Sequence, residues 1–170
     1  MLALAGISSP PVDPHAVARR LGVLVQMEVA DDDISGALYR QDEGVVIGIN
    51  VAHHPKRQRF TIAHELGHFV LHDAPVFVDR TYASNRPAKG APAFLRNKVS
   101  GQAVDPVEIE ANRFAASLLM PLDFLLSDLK EREVPVPALV VEELAERYGV
   151  SAQAMSYRLS NIGVPLDLGF

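Results

Sequence analysis

A long helix is predicted around the segment FTIAHELGHFVLH, which spans residues 60–72. Pro55 fits the first turn of this helix and Pro75 lies just beyond its end, so the helix should run from Pro55 to about His72. Its large apolar residues recur at helical spacing and should be buried, which leaves the opposite side of the helix for a cleft. These residues are Ile62, Leu66, Phe69 and Val70.

Two histidines and a glutamate belong to the cleft side of this helix. His64 and His68 are four positions apart, so they lie one turn apart on the same face and can both direct a ring nitrogen at one metal ion. Glu65 lies about 100° round the helix from His64, where it can reach a metal-bound water without being a ligand. The spacing therefore predicts a metal site with Glu65 as the catalytic general base. The alternative is a chance match among ordinary helical histidines.

A catalytic zinc ion needs a third protein ligand and an open position for water. Because the chain has no cysteine, that ligand must be another histidine or a carboxylate. A second helix, predicted at 107–119, offers two glutamates: Glu108 lies about 60° from the centre of its apolar stripe, and Glu110 about 100° away on the other side. Glu108 is the preferred ligand and Glu110 the alternative, although both also suit a solvated helix N-terminus.

Other side chains could support the site without binding the ion. Asn112 lies one turn after Glu108, where it could orient a liganding histidine. His72 lies one turn after His68, about 40° round the helix, and it either hydrogen-bonds to the site or, more plainly, caps the helix end. Tyr82 or an arginine of the segment 73–106 is a candidate for stabilising the oxyanion, with a solvated loop residue as the plainer interpretation of each.

The remaining elements predict an α+β fold. A first helix at 12–22 is followed by strands at 23–29, 34–40 and 45–51, whose simplest arrangement is a small antiparallel three-stranded sheet packed on the helices. The strand at 45–51 directly precedes the site helix. As an edge strand it would pair with an extended substrate.

The length of the chain predicts a single domain over 1–170, with two segments outside the core. Residues 73–106 contain several prolines and glycines and predict a long inserted loop or lid. Residues 137–162 predict a C-terminal helical hairpin that is helix-turn-helix-like, with Ser151 as the N-cap of its second helix.

Composition limits the class of partner. The chain has 170 residues, of which 48% are hydrophobic and 22% charged, as is usual for a globular domain. The net charge of −5 argues against a direct nucleic-acid partner and favours a protein. The N-terminus lacks a basic region, and no apolar run is long enough to span a bilayer, so a soluble cytoplasmic protein without a membrane partner is expected.

Two segments resemble the ImmA/IrrE family of bacterial metallopeptidases. They are RQRFTIAHELGHFVLH at 57–72 and EIEANRFAASLLMP at 108–121. Weaker similarity extends to 23–51 and 150–159. The long segment between the two motifs departs from the compact family pattern, and this departure concerns the choice of substrate rather than the chemistry.

The resemblance implies a zincin-type helical core and a gluzincin-type active site. It implies zinc, or alternatively manganese, held by His64, His68 and a glutamate of the second segment, with Glu65 as the base. It also implies that the protein substrate is a helix-turn-helix transcriptional repressor, cleaved to switch on mobile-element or DNA-damage-response genes.

Two other functions are consistent with the sequence. The C-terminal hairpin could bind DNA, although its second helix offers mainly Gln153, Arg158 and Asn161 to a groove, and three glutamates lie just upstream. The metal site could also belong to a regulatory or toxin–antitoxin-like module that docks a repressor without cutting it. A segment covering the metal would favour the docking module, whereas an open cleft would favour a peptidase.

Overall fold

The computed structural model describes residues 2–31, 33–80 and 105–169. After a short 3-10 turn at Ala3–Ala5, the described helices are α1 Pro14–Arg20, α2 Pro55–Leu71, α3 Pro106–Leu119, α4 Leu122–Leu129, α5 Ala138–Tyr148 and α6 Ala152–Asn161. The described strands are β1 Val23–Glu28, β2 Ile34–Gln41, β3 Gly44–Asn50, β4 Val76–Arg80, β5 Val136–Pro137 and β6 Leu166–Asp167. None of the described helices is long and apolar enough to cross a membrane.

The four longer strands form one mixed sheet in the order β1-β3-β2-β4. β1 pairs in parallel with β3, and β2 pairs antiparallel with both β3 and β4. The predicted α+β class is confirmed, but the antiparallel three-stranded sheet is wrong. The sheet has a fourth strand, and β1 lies parallel to β3 instead of antiparallel to β2.

The position of β3 explains much of the difference. Its run GVVIGIN is almost wholly apolar up to its last residue, which is the pattern of a strand in the middle of a sheet. Ile47 of β3 pairs with Val25 of β1 on one side and with Leu38 of β2 on the other. β3 is therefore not an edge strand, and the condition for substrate pairing at 45–51 is not met.

β4 falls inside the segment that was predicted to be an irregular loop or lid, residues 73–106. Its sequence, VFVDR, has five residues and directly follows Pro75, so its alternating pattern is too short to stand out among the prolines. Long-range pairing with β2 holds it in place, because Leu38 lies opposite Phe77 and both side chains are buried. The rest of that segment, residues 81–104 with Tyr82, lies outside the described residues.

Helix α2 contacts the sheet on one side and α3 on another, and it approaches α3 closely at Gly67. A Cβ atom at Gly67 would lie 3.0 Å from both the Cα and the carbonyl oxygen of Ala111, and 3.2 Å from the Cβ of Phe114. The absence of a side chain at Gly67 therefore sets the distance between the two helices that carry the predicted site residues.

We expect Gly67→Ala to push α3 away from α2 and to lower the free energy of unfolding by about 1–3 kcal/mol, because the added methyl group meets backbone that cannot rotate aside. Thermal unfolding measures the loss. Gly48→Ala is the matched control, since a Cβ there has no neighbour closer than 3.8 Å. Equal melting temperatures for the two variants would contradict the close approach of α2 and α3.

The turn between α5 and α6 is fastened to α2 by Arg59. The guanidinium group of Arg59 donates hydrogen bonds to the backbone oxygens of Val12 at 2.7 Å, Gly149 at 3.1 Å and Tyr148 at 3.4 Å. Gly149 has a left-handed φ of 65° and ends α5, so the chain turns directly into α6. The first turns of α2 and α6 consequently face each other.

A second anchor of the C-terminal helices is the side chain of Tyr148. Its ring is fully buried, and its hydroxyl donates a hydrogen bond of 2.9 Å to Oδ2 of Asp128. Burial and this hydrogen bond both raise the pKa of Tyr148. The folded chain therefore favours the neutral phenol.

We expect Tyr148→Phe to lower the free energy of unfolding by about 1 kcal/mol at neutral pH, because Asp128 loses a buried donor. The raised pKa of Tyr148 makes the parent less stable as pH rises above about 10, where an unfolded tyrosine ionises first. The phenylalanine variant should not lose stability through this ionisation. Urea unfolding at neutral pH and at about pH 10.5 measures both effects, and parallel stability curves with no offset would overturn the assignment.

Candidate metal centre

Three donor atoms from two helices converge on one point. The Nε2 atoms of His64 and His68, both on α2, are 3.0 Å apart. Oε2 of Glu108, on α3, lies 3.1 Å from the Nε2 of His64 and 3.5 Å from that of His68. Among the described residues these three form a group whose ligand atoms all lie within 4.8 Å of one another.

The spacing of these donors suits a small tetrahedral metal ion. Zinc binds imidazole nitrogen and carboxylate oxygen at about 2.0–2.2 Å, so neighbouring ligand atoms on a tetrahedron are about 3.3 Å apart. The three observed separations of 3.0, 3.1 and 3.5 Å lie on either side of that value. The group could therefore hold one metal ion and leave a fourth position for water.

Asn112 fixes the orientation of the His64 ring. Its Oδ1 lies 3.0 Å from Nδ1 of His64, and an amide oxygen can only accept a hydrogen bond. Nδ1 of His64 must therefore carry the proton, so the lone pair of Nε2 points at the common centre. Asn112 lies one turn after Glu108 on α3, so a single helical face contributes both a donor to the centre and a partner to His64.

A hydrogen-bonded chain fixes the orientation of the His68 ring. Nδ1 of His68 lies 3.1 Å from Nδ1 of His72, and Nε2 of His72 lies 3.1 Å from Oε2 of Glu110. A carboxylate accepts from the N–H of His72, so the other nitrogen of a neutral His72 accepts from His68. The lone pair of Nε2 on His68 is thereby left for the centre, and Glu110 lies against His72 instead of the histidine pair.

The charges of the group suit a cation. Burial lowers the pKa of His68 and keeps its ring neutral. Burial alone would raise the pKa of Glu108, but the position of its carboxylate beside the imidazole rings of His64 and His68 outweighs that effect and holds the pKa well below its usual range. At neutral pH the group thus presents a neutral imidazole and an ionised carboxylate, the forms that bind metal.

Strand β4 supplies a contact that the sequence did not predict. The ring of Phe77 stacks on the ring of His68, with centroids 4.1 Å apart and planes inclined by 16°. Phe77 is buried and thus limits the tilt of the His68 ring. The alternation of apolar residues in VFV was the available signal, and it was too short to identify a strand by itself.

Glu65 is fully buried beside His64 in the middle of α2. The pKa of the Tyr39 phenol on β2 is raised by burial and by the charges of Glu28 and Glu65. The carboxylate of Glu65 is therefore shielded from bulk water.

Comparisons with known proteins point to a family of metalloproteases. The model of the Peptidase_M78 family, described as the IrrE N-terminal-like domain, matches residues 18–160. The radiation response metalloprotease IrrE of Deinococcus radiodurans is 34% identical over 116 residues, which cover 68% of this chain and 30% of that protein. The corresponding protein of Deinococcus deserti is 31% identical over 162 residues, which cover 94% of this chain and 51% of that protein.

One solved structure is also similar in fold. It is described as a Mycobacterium tuberculosis transcriptional regulator, and it aligns with a TM-score of 0.59 at 17% identity over 97% of this chain and 45% of that chain. The chain thus spans about half, or less, of the length of these relatives. Because the family model matches well over half of the chain, the chain belongs to the Peptidase_M78 family, described as the IrrE N-terminal-like domain.

Proposed function

We propose that this chain is a zinc-dependent metallopeptidase whose ion is held by His64, His68 and Glu108, with manganese as the alternative metal. The single observation that carries the proposal is the convergence of the three donor atoms at separations of 3.0, 3.1 and 3.5 Å. Two imidazoles and a carboxylate are the ligand set of many zinc peptidases. Membership of a peptidase family supports the same reading.

The residues around the centre have separate roles in this proposal. When bound, zinc supplies a Lewis acid that lowers the pKa of the attacking water and polarises the scissile carbonyl. Glu65 accepts the proton of that water and later donates it to the leaving amine. Asn112 and the His72–Glu110 pair hold the two imidazole rings in the tautomers that ligate, as their hydrogen bonds require.

We expect Asn112→Ala to weaken zinc binding by about 10–100-fold, because the His64 ring loses the acceptor that fixes its tautomer and orientation. A competition titration with a chromophoric zinc chelator measures the change. Asn161→Ala, an exposed position at the end of α6, serves as the control. Zinc affinity equal to that of the parent would show that Asn112 does not act on His64.

Strand β4 is the better candidate for pairing with an extended substrate. In the described part of the chain it lies at an edge of the sheet, and its Phe77 contacts the ring of His68. A peptide that added to this edge would be held by backbone hydrogen bonds in a fixed register beside the metal donors. We propose that residues 1–170 form one catalytic domain, with α5 and α6 as a helical hairpin packed on it.

The proposed substrate is a helix-turn-helix transcriptional repressor, as the family resemblance suggests. A DNA-binding role for α6 is less favoured, because Nε of Arg158 donates a hydrogen bond to the backbone oxygen of Met120 at 3.1 Å, which ties part of the guanidinium to the backbone. The net charge of −5 also opposes approach to a phosphate backbone.

The direct test mixes the purified chain with candidate helix-turn-helix repressors from the same genome, in the presence of zinc, of manganese, or of a chelator. Mass spectrometry then identifies any fragments. The proposal predicts discrete, metal-dependent fragments with one defined cleavage site. An intact repressor that nevertheless binds the metal-loaded chain would favour the docking module instead.

A further inference from the structure

We infer that the groove between the first turns of α2 and α6 receives a segment of the protein substrate that carries an acidic side chain next to an apolar one. The inference rests on the proposed peptidase function and names the kind of substrate on which that function acts. The groove has a volume of about 660 Å³, within the range of sites that enclose a drug-sized ligand. It is large enough for two neighbouring side chains.

The walls of the groove differ in chemistry. The side formed by α2 is basic and aromatic, with His54, Lys56, Arg57 and Phe60. The side formed by α6 and the turn before it is mainly small or apolar, with Val150, Ser151, Ala152, Gln153, Ala154 and Tyr157. None of the described residues that line the groove is acidic. A carboxylate beside an apolar side chain is the ligand chemistry that complements both walls.

The groove lies near the metal centre along α2. Phe60 lines the groove and lies one helical turn before His64 on α2, with the two ring centroids 6.4 Å apart. A peptide seated in the groove therefore lies within one helical turn of the histidine pair. This proximity favours the protein substrate as the occupant.

One cation of the groove is already paired with a carboxylate of the chain itself. The Nζ of Lys56 is ion-paired with Glu146 of α5, whose side chain is 76% exposed. An ion pair exposed to this extent contributes little to stability and is readily exchanged. Glu146 thus occupies the place that an acidic side chain of the substrate would take.

The second cation of the groove is held in a fixed position. The guanidinium of Arg57 donates a 2.6 Å hydrogen bond to the hydroxyl of Ser35 on β2. Because a hydroxyl carries no charge, the positive charge of Arg57 is not neutralised by this contact. Its remaining N–H groups can bind a carboxylate while the hydrogen bond to Ser35 is kept.

The experiment measures binding and not cleavage, so its failure differs from failure of the peptidase proposal. Two tetrapeptide probes, acetyl-Ala-Glu-Leu-Ala-amide and acetyl-Ala-Gln-Leu-Ala-amide, are titrated into the zinc-loaded full chain carrying Glu65→Gln. Amide shifts of Val150, Ser151 and Tyr157 in nuclear magnetic resonance spectra report on the groove. The acidic peptide should bind severalfold more tightly and shift these amides.

Variants that add or remove one charge should change the affinity for the acidic peptide in a predicted direction. Glu146→Gln removes the competing carboxylate and should increase the affinity for the acidic peptide about two- to fivefold. Gln153→Glu places a carboxylate in the groove and should weaken binding of the acidic peptide by a similar factor. The matched control is Glu143→Gln, which removes the same charge from an exposed ion pair of α5 with Arg132. It should change the binding of neither peptide.

Two results would overturn the inference. One is equal binding of the acidic and amide peptides, which would make the groove a neutral apolar surface. The other is a set of shifted amides that lie away from the groove. Selective groove binding, together with a parent chain that cuts none of the repressors tested, would support the groove and count against the peptidase function, so the two claims are decided separately.

Discussion

The variant Glu65→Gln is expected to keep its zinc ion and to cut its substrate about 10²–10⁴-fold more slowly than the parent chain. Glutamine has the size of glutamate but cannot accept the proton of the attacking water. The side chain is fully buried beside His64, so no solvent base reaches the same position. Because the three donors that could hold the ion are unchanged, metal content should stay near one ion per chain.

Cleavage rates of the repressor, together with metal analysis of the same samples, measure this prediction. Glu133→Gln makes the same chemical change at an exposed position and should leave the rate unchanged. A melting temperature near that of the parent excludes misfolding as the cause. Undiminished cleavage by Glu65→Gln would show that another group acts as the base.

Removing Glu108 should have a far larger effect on metal binding than removing Glu110. Oε2 of Glu108 lies 3.1 and 3.5 Å from the two histidine Nε2 atoms, whereas Glu110 reaches the centre only through His72. We expect Glu108→Ala to weaken zinc binding by more than about 100-fold, since a direct donor is lost. Glu110→Ala should weaken it by at most about tenfold, because Glu110 acts on the ligand His68 only through His72.

The two variants are matched, because both remove a glutamate from the first turns of α3. Competition against a chelator of known zinc affinity measures both on one scale. The account is contradicted if Glu110→Ala loses zinc more severely than Glu108→Ala, or if both retain the affinity of the parent.

The local part of the site could be predicted from the sequence. The side-by-side position of His64 and His68 follows from helical spacing alone, since residues four apart share a face. Helical angles also distinguished Glu108 from Glu110, because an apolar stripe shows which side of α3 faces inward. The structure brings Glu108 to the pair and places Glu110 beside His72.

The non-local part could not be predicted in the same way. Strand order depends on pairings between residues far apart in sequence, so the parallel alignment of β1 with β3 left no local signal. β4 is held by its partner β2 and by the burial of Phe77, neither of which can be deduced from five residues. The contact of Phe77 with His68 was missed for this reason.

The interaction of Arg59 with the C-terminal helices was missed on similar grounds. Its three acceptors are backbone oxygens, two of them about 90 residues away at Tyr148 and Gly149. Any residue supplies a backbone oxygen, so no side-chain pattern marks the acceptor positions. Only the folded chain identifies Arg59 as the link between α2 and the turn before α6.

The most direct test of the metal centre is anomalous diffraction at the zinc absorption edge from crystals of the chain grown with zinc. The account predicts one strong peak about 2.0–2.2 Å from Nε2 of His64, Nε2 of His68 and a carboxylate oxygen of Glu108. A peak bound instead by His72 and Glu110, or no peak near α2 in crystals of a zinc-saturated protein, would contradict it.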